Sequence, residues 1–445
     1  MSAVPAACYI MMGGRVQNAV FYDAAKDERY KEMASVGLTE PDLILCAQVY
    51  GETEDDWRPV EIMVDGGVIT GVRDSAPSIP DAPDAARSAQ PSPLLIDMSH
   101  TYLTPGLVDC HVHLAMNAVN LQDAVAGWTD EAATTASVAK RLGAYLRAGV
   151  VLVRDGGDAA GIGLRARSMV EEDALIGPGV VACGHAIYKR GCYGEFLGPG
   201  IGSLDEAAAQ IDEAAKRTEH LKICQSGLVS FKRFGEVGAA QFTLDELAFI
   251  IERAHARALS VMVHASGADA VDIAVRAGAD TLEHGYFIKP ETIESMAERG
   301  MVWVPTISPL ANLLTRPELL YSGASLDVIE RTVDDHMAKI AHAYGAGVRL
   351  AVGTDAGAVG VEHGESIYEE IEHLVSAGIP RREVLRMATE EGRRVLGVES
   401  SDEGEFLNCW QPGRVFEGVF YRKDPLRHRI SITDIEATSL RPPMF

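Results

Sequence analysis

The chain has 445 residues, which suits one large domain with a smaller module and allows a sizeable buried core. Its formal net charge of −24 at pH 7 argues against nucleic acid as a partner, because phosphate binding requires basic patches. The seven cysteines form no Cys-x-x-Cys pair, which predicts free thiols in a reducing compartment. The sequence has no basic leader and no apolar run near ~18 residues, so we expect a cytoplasmic protein without a membrane partner.

The two ends of the chain share a β-like pattern. Residues 1–40 carry no clear motif and are interpreted as an N-terminal extension. Strand-like runs follow, with a hairpin turn at Gly66-Gly67, over residues 43–46, 60–72, 94–98, 415–421 and 430–434. The Pro- and Ala-rich stretch 75–93 is expected to be a loop. We therefore expect a small β-sandwich domain built from residues 41–103 and 406–445, with a larger domain inserted between them.

Strands and helices alternate regularly between these ends. Strand-like runs occur around residues 106–113, 150–155, 180–185, 220–225, 260–264, 280–284, 301–306 and 348–355. Helical periodicity follows over residues 131–147, 163–173, 204–219, 243–258, 267–277, 290–299, 327–344, 365–377 and 381–396. This order predicts an α/β fold, a closed (β/α)8 TIM barrel over residues 104–405. A doubly wound open sheet is the alternative, but no Gly-rich phosphate-binding turn opens the first crossover.

Potential metal ligands lie near the C-terminal ends of several predicted strands. His111 and His113 are two residues apart on an extended segment, so their imidazoles point the same way and could hold one ion. Four further candidates follow short apolar runs: Lys222, His264, His284 and Asp355. A TIM barrel gathers its chemistry at this end of its strands, so we expect these side chains to meet.

A lysine is an unusual member of such a set. The ammonium of Lys222 would be repelled by a neighbouring divalent cation, and the repulsion lowers its pKa. The neutral amine can react with carbon dioxide to form a carbamate, whose two oxygens could bridge two metal ions. A lysine that extends from a strand end into solvent is the alternative.

Taken together, the set resembles the amidohydrolase superfamily. The similar segments are Pro105-Gly-Leu-Val-Asp-Cys-His-Val-His113, the strand of Lys222, Val263-His-Ala-Ser-Gly267, Leu282-Glu-His-Gly285 and Val352-Gly-Thr-Asp-Ala-Gly357. The resemblance covers the chain from about residue 42 onward. It is closest to the imidazolonepropionase-like group and its metal-dependent dipeptidase (prolidase-like) branch, whose members use the strand-four lysine.

The resemblance implies two divalent metal ions, with zinc the expected element, and carbon dioxide bound as a lysine carbamate. The implied ligands are His111, His113 and Asp355 for the more buried ion, His264 and His284 for the more exposed ion, and carboxylated Lys222 as the bridge. A hydroxide held between two cations is a nucleophile at neutral pH. Asp355 would take its proton and pass it to the leaving amine.

Three further residues are candidates for substrate binding. His185, at the end of the third predicted strand, is expected to contact the substrate carbonyl or the oxyanion. The loop that follows, residues 188–195, is cationic and aromatic within an acidic protein. Tyr188 and Arg190 belong to it, and Arg190 could bind a substrate carboxylate in a bidentate way. A hydrogen-bonded histidine and a plain surface loop are the respective alternatives.

The sequence therefore predicts a binuclear metal-dependent amidohydrolase that cleaves the C–N amide bond of a dipeptide, an N-acyl amino acid or a related small amide. The nucleophile would be a metal-bridging hydroxide. Ser266 stands where dipeptidase-like relatives often have an aromatic or a second histidine, which weakens a simple prolidase assignment. One alternative is a mononuclear hydrolase of a cyclic amide, imide or lactone, and another is an inactive binding homologue. A homo-oligomer is left open.

Overall fold

The computed structural model describes residues 9–12, 15–17, 43–51, 56–74, 94–398 and 410–440. Most of the predicted N-terminal extension, the predicted loop 75–93 and the thiols of Cys8 and Cys409 lie outside the described residues. The chain divides into two compact units. Unit 1 comprises Met1–Leu107, Leu146–Val151 and Ser400–Phe445, and unit 2 comprises Val108–Tyr145 and Leu152–Glu399.

The strands and helices of the described ranges follow in chain order. The strands are β1 (Tyr9–Met12), β2 (Arg15–Gln17), β3 (Leu43–Gly51), β4 (Asp56–Asp65), β5 (Val68–Asp74), β6 (Leu94–Pro105), β7 (Leu107–Val112), β8 (Val150–Asp155), β9 (Gly179–Ala182), β10 (His220–Cys224), β11 (Ser260–Ala265), β12 (Thr281–His284), β13 (Val302–Val304), β14 (Arg349–Leu350), β15 (Gly418–Tyr421) and β16 (Ile435–Leu440). The α-helices are α1 (Leu121–Gly127), α2 (Glu131–Arg147), α3 (Ile162–Glu171), α4 (Leu204–Ala214), α5 (Leu244–His255), α6 (Ala268–Ala277), α7 (Pro290–Arg299), α8 (Ser308–Thr315), α9 (Leu326–Gly345), α10 (Ser366–Ser376), α11 (Arg381–Arg386) and α12 (Gly392–Val395).

Unit 1 contains one mixed sheet of eight strands in the order β2-β1-β16-β15-β6-β3-β4-β5. Its β4–β5 hairpin turns at Gly66 and Gly67, whose φ angles of 53° and 78° suit a turn with two left-handed residues, as predicted. The predicted β-sandwich is not confirmed, because the described strands of this unit form a single sheet. The strand expected over residues 430–434 is wrong. Ser431 caps a short helical turn there, and β16 begins after it.

The apolar core of unit 1 lies against this sheet. Leu45 on β3 and Val60 and Ile62 on β4 are fully buried, and they pack with Phe416 and Phe420 from the C-terminal part of the chain. Burial of side chains this large supplies most of the favourable free energy of folding such a unit.

Unit 2 has the predicted α/β alternation, and its strands are parallel. They form a five-stranded sheet, β10-β11-β12-β13-β14, and a three-stranded sheet, β7-β8-β9. Isolated parallel bridges join Ile187 to Ile223 and Val112 to Ala356 at the sheet edges. The parallel α/β architecture is thus confirmed, in two sheets rather than the one continuous sheet that was predicted. Strand β14 has only two residues, and beyond it Thr354 donates its amide to the side chain of Asp109.

The helices of unit 2 follow local signals that the sequence contains. A capping box of Thr243 and Glu246 starts α5, and a proline stands at the start of α7. Sequence periodicity missed α1 and α8, which are only seven and eight residues long. The helix predicted over residues 381–396 is interrupted by a wide π turn between α11 and α12. Within the described ranges, none of the helices has the length and apolar character that crossing a membrane requires.

The core of unit 1 gives a test of the fold. Val60→Ala removes two buried methyl groups and should lower the free energy of unfolding by about 2 kcal/mol. Val415→Ala, in the same unit at a side chain that is 36% exposed, is the matched control and should change it by about 0.5 kcal/mol or less. Urea denaturation followed by circular dichroism measures both. Equal losses in the two variants would contradict this description of the core.

Candidate metal centre

Five of the six predicted ligand side chains lie on the parallel strands or directly after one of them, and Asp355 lies five residues beyond the end of β14. His111, Lys222, His264 and His284 lie on β7, β10, β11 and β12, and all four are buried. Asp355 and His284 have positive φ angles of 58° and 66°, which are unusual for residues other than glycine. Such backbone conformations turn the side chains of strand-end residues away from the regular alternation of a strand, and they are found often at functional sites.

The ring of His111 is held by a chain of buried charges. Its Nδ1 lies 2.8 Å from Glu283 Oε2, and the other carboxylate oxygen of Glu283 accepts from Arg154 at 2.9 Å. Arg154 also donates to the backbone oxygen of Cys110 and to the hydroxyl of Thr281. The two atoms are close, but neither has an aligned hydrogen-bond partner among the described residues. A proton on Nδ1 would face the carboxylate and leave the lone pair of Nε2 to bind a cation.

The ring of His284 is fixed by a hydroxyl group. Thr306 donates its hydroxyl proton to the backbone oxygen of Pro305 at 2.8 Å. The Thr306 oxygen is 2.6 Å from His284 Nδ1, so it accepts from an Nδ1–H group. His284 therefore presents the lone pair of its Nε2.

The rings of His113 and His264, like that of His284, carry their proton on Nδ1. Nδ1 of His113 donates to the backbone oxygen of Gly157 at 3.3 Å. His264 is hydrogen-bonded to the backbone of Gly227, and its buried Nε2 has no hydrogen-bond partner among the residues that the structure describes. Four imidazoles thus direct Nε2 lone pairs towards one small volume.

The distances inside this volume are short. Nζ of Lys222 lies 3.2 Å from Nε2 of His111. Oδ1 of Asp355 lies 3.5 Å from His111 Nε2 and 3.4 Å from His113 Nε2. Ligand atoms of His111, His284 and Asp355 all lie within 4.8 Å of one another. The rings of His264 and His284 are in contact, with centroids 4.5 Å apart.

Burial decides the protonation of these groups. Burial, with Lys222 nearby, lowers the pKa of His113 and of His264 to about 3. Burial likewise lowers the pKa of Lys222 and holds that of His111 well below its usual value. The histidines are therefore neutral at physiological pH, which is the form that binds metals.

The donor set fits divalent metal ions. Four imidazole nitrogens and a carboxylate oxygen converge as acceptors, and among these six side chains Lys222 is the one that presents a hydrogen-bond donor to them. Buried acceptors require a partner, and a cation satisfies several of them at once. Imidazole and carboxylate ligands suit zinc and neighbouring first-row ions.

A cavity of about 370 Å³ opens onto the centre, and most of its wall is apolar. Tyr193 and Phe196 come from the loop after β9, and the ring centroid of Tyr193 lies 5.4 Å from that of His264. Leu310 and Leu313 of α8 line another wall. Cavities of this size take small molecules.

The structure does not bring the predicted substrate-binding residues to this cavity. His185 is exposed and lines a separate depression with Gln210 and Arg217, because Gly184 before it has a φ of 72° and turns the backbone. Arg190 is exposed and ion-paired with Glu206 at 2.6 Å. Tyr188 is buried in an apolar cluster and donates its hydroxyl to the backbone oxygen of Gly198.

Sequence reasoning also missed residues that the structure places around the centre. Arg154 and Glu283 are charged residues within apolar strand runs, which is a signal of a buried ion pair. Thr306 is the last residue of the seventh predicted strand but belongs to no motif. Tyr193 lies in the same 188–195 loop as Tyr188, and the sequence alone does not distinguish the two tyrosines.

The chain matches the model of the family described as "Amidohydrolase family" over residues 102–401, well over half of its length. It belongs to this family. It is 27% identical over 333 residues to an uncharacterized protein of Mycobacterium tuberculosis, covering 73% of this chain and 83% of the relative. It is also 26% identical over 280 residues to an ochratoxinase of Aspergillus niger, covering 57% of this chain and 58% of that protein.

The fold is shared with solved structures as well. A Xaa-Pro dipeptidase with bound methionine superposes with a TM-score of 0.71 at 22% identity, covering 88% of this chain and 97% of the dipeptidase. As an amidohydrolase, the chain is a hydrolase that acts on C–N bonds, and metal dependence is typical of the family. The parallel α/β unit is accordingly a TIM-barrel-like fold.

The hydroxyl of Thr306 provides a test of the metal centre. Thr306→Val removes the acceptor that fixes the ring of His284 and should weaken metal affinity by about 10–100-fold. Thr306→Ser keeps the hydroxyl and should stay within about threefold of the parent. Competition with a chromophoric chelator measures the affinity without any need for substrate. Equal affinities of the Val and Ser variants would contradict this role.

Proposed function

We propose that this amidohydrolase is a binuclear metal-dependent enzyme that hydrolyses the C–N amide bond of a small molecule, within the range of dipeptides, N-acyl amino acids and related amides. One observation carries the proposal: four neutral imidazoles present Nε2 lone pairs around Lys222 and Asp355 in a buried volume. The names of the ochratoxinase and the Xaa-Pro dipeptidase, which denote hydrolases of small molecules, support it.

The proposed ligands are those that the family resemblance implies. His111, His113 and Asp355 would hold one ion and His264 and His284 the other, with Lys222 as the bridge. The burial of Lys222 favours its neutral amine, which can add to carbon dioxide. In that step the lysine nitrogen forms a bond to carbon, one N–H proton is released, and the product is a carbamate anion. The anion offers two oxygens to the cations.

Two bound ions would supply a deprotonated water as the nucleophile and would polarise the scissile carbonyl. Side chains of the protein would transfer the proton and shield the reacting groups from water. Asp355, whose pKa burial raises to about 7, can take a proton and return it to the leaving amine. The apolar wall near Phe196 and Leu313 excludes water from the reacting groups, which strengthens each electrostatic interaction there.

The same proposal includes the architecture and the domain boundaries that the sequence predicts. Closure of the eight strands into one (β/α)8 barrel is supported by the single bridges at the edges of both parallel sheets. The barrel would occupy residues 104–405, and the small domain residues 41–103 and 406–445. The partner of the enzyme is a small-molecule substrate.

A mononuclear hydrolase of a cyclic amide, imide or lactone is the second candidate. The observation in its favour is that His111, His284 and Asp355 can by themselves surround one ion. The mononuclear hypothesis gives Lys222 no role in the chemistry. Lys222 is nevertheless only 1% exposed, and its Nζ lies 3.2 Å from Nε2 of His111. The binuclear reading uses all six groups, so we prefer it.

The metal content distinguishes the two candidates. Elemental analysis of protein purified without chelators, and with bicarbonate present, should give two ions per chain. Removal of the metal by a chelator should abolish hydrolysis, and added zinc should restore it. One ion per chain, unchanged by bicarbonate and excess metal, would favour the mononuclear candidate.

Substitution of Lys222 tests the proposed carbamate bridge between the two metal ions. Lys222→Ala should remove the second ion and lower kcat/KM by on the order of 10³-fold, equivalent to ~4 kcal/mol of transition-state stabilisation. Short carboxylic acids added to this variant should restore part of the activity, because they replace the carbamate oxygens. Lys216→Ala, at an exposed lysine on the surface, is the control and should retain full activity. A Lys222→Ala variant with parental kcat/KM would rule out the proposed bridge.

A further inference from the structure

The charges around the cavity are confined to the metal centre. Among the cavity-lining residues that the structure describes, Lys222 and Asp355 are the two that could carry a charge beside the neutral histidines. The remaining wall residues are apolar, aromatic or small, apart from Ser266. A substrate carboxylate that entered this cavity would lose its water without meeting a cation of the protein outside the centre, which is costly.

Cations near the cavity are engaged elsewhere. Lys189 pairs with Glu246 at 3.2 Å, and Arg316 pairs with Glu369 at 2.9 Å. Arg331 lies over the ring of Phe234, with its guanidinium 4.4 Å from the ring centroid. Arg190 is likewise held in an ion pair, and among the described residues that line the cavity Lys222 is the one lysine or arginine. The arrangement differs from that expected of a dipeptidase, which must hold the charged ends of its substrate.

The rim of the cavity exposes apolar groups to solvent. Phe231 stacks on Tyr321 with centroids 5.8 Å apart and an interplanar angle of 19°. The backbone oxygen of Phe231 accepts from the amide of Ser325 at 2.8 Å, so the two rim segments are joined. Leu228 and Tyr321 remain 59% and 52% exposed although both line the cavity. An apolar ligand would cover this surface and gain the free energy of its burial.

Lys232 is a cation that lies beside this rim. Its ammonium lies 5.5 Å from the ring centroid of Tyr321, on the stacked pair. Its side chain is exposed to water, so it could attract an anion only at the entrance and not inside. Lys232 does not therefore supply the missing partner for a buried carboxylate.

From this distribution of charge we propose that the cavity selects neutral amides with a bulky aromatic or aliphatic group, and disfavours substrates with a free carboxylate next to the scissile bond. The inference rests on the proposed function and narrows its substrate range. An aryl-acyl amide whose amine portion carries no charged group fits the cavity. A dipeptide or an N-acyl amino acid, which has a free carboxylate, fits the cavity poorly. The apolar wall binds the bulky group, and the metal centre receives the amide.

Matched substrates test the inference. N-(2-naphthoyl)phenylalaninamide and N-(2-naphthoyl)phenylalanine differ only in the carboxamide or carboxylate next to the scissile amide. The metal-loaded enzyme should prefer the neutral member in kcat/KM by on the order of 10²-fold. Isothermal titration calorimetry with both compounds on the metal-free protein should give the same order of affinities without turnover. Equal kcat/KM values and affinities for the two compounds, or tighter binding of the acid, would overturn the inference. Such a result would not contradict the proposed amide hydrolysis.

A cation placed at the rim should reverse the preference. Leu228→Arg adds a guanidinium at an exposed position that lines the cavity, and it should raise the relative binding of the acid by about tenfold. Ile176→Arg, at an isoleucine that is 57% exposed and outside the lining, should leave the ratio unchanged. Tight binding of the neutral compound without hydrolysis by the two-metal enzyme would support the inference while counting against the proposed function. A Leu228→Arg variant with the parental ratio would contradict the account of the wall.

Discussion

The buried contact between Arg154 and Glu283 is the interaction on which the metal centre depends. Arg154 extends from β8 and binds the backbone oxygen of Cys110 on β7, and it pairs with Glu283 on β12. One guanidinium thus connects strands of both parallel sheets. A buried ion pair of this kind adds little net stability, because desolvation offsets the attraction. Its contribution is geometric: it places the carboxylate of Glu283 2.8 Å from Nδ1 of His111, where the carboxylate favours a proton on Nδ1.

The same burial that orients the rings also fixes their charge. His111, His113, His264 and His284 all have a lowered pKa because they are removed from water, and Lys222 shares that shift. The fold therefore buries several nitrogen bases in their neutral form. Their lone pairs lose the hydrogen bonds that water would provide, which is unfavourable. A cation relieves that cost, since it binds the folded arrangement and not the unfolded chain. Metal binding and the stability of unit 2 are thereby coupled.

The convergence of six side chains could be predicted because strand ends in this fold meet at one face, so spacing along the chain becomes proximity in space. The environment of these side chains could not be predicted in the same way. His185 ends a predicted strand, yet the positive φ of Gly184 turns it away from the cavity. Thr306 lies in no motif, and its contact with His284 depends on the packing of two strands. The β-sandwich stays a prediction, because strand patterns do not specify how many sheets the strands form.

The separation between strands and connecting segments explains how one centre can serve different substrates. The groups proposed to perform the chemistry lie on or beside β7, β10, β11 and β12, where backbone hydrogen bonds and packing hold them rigidly. The wall that a substrate would touch comes instead from segments between strands, such as those of Phe196, Phe231 and Tyr321. Loops of this kind accept substitutions without disturbing the strands beneath them. Proteins that share the fold at about 20–27% identity can therefore keep the same strands while the segments between them differ.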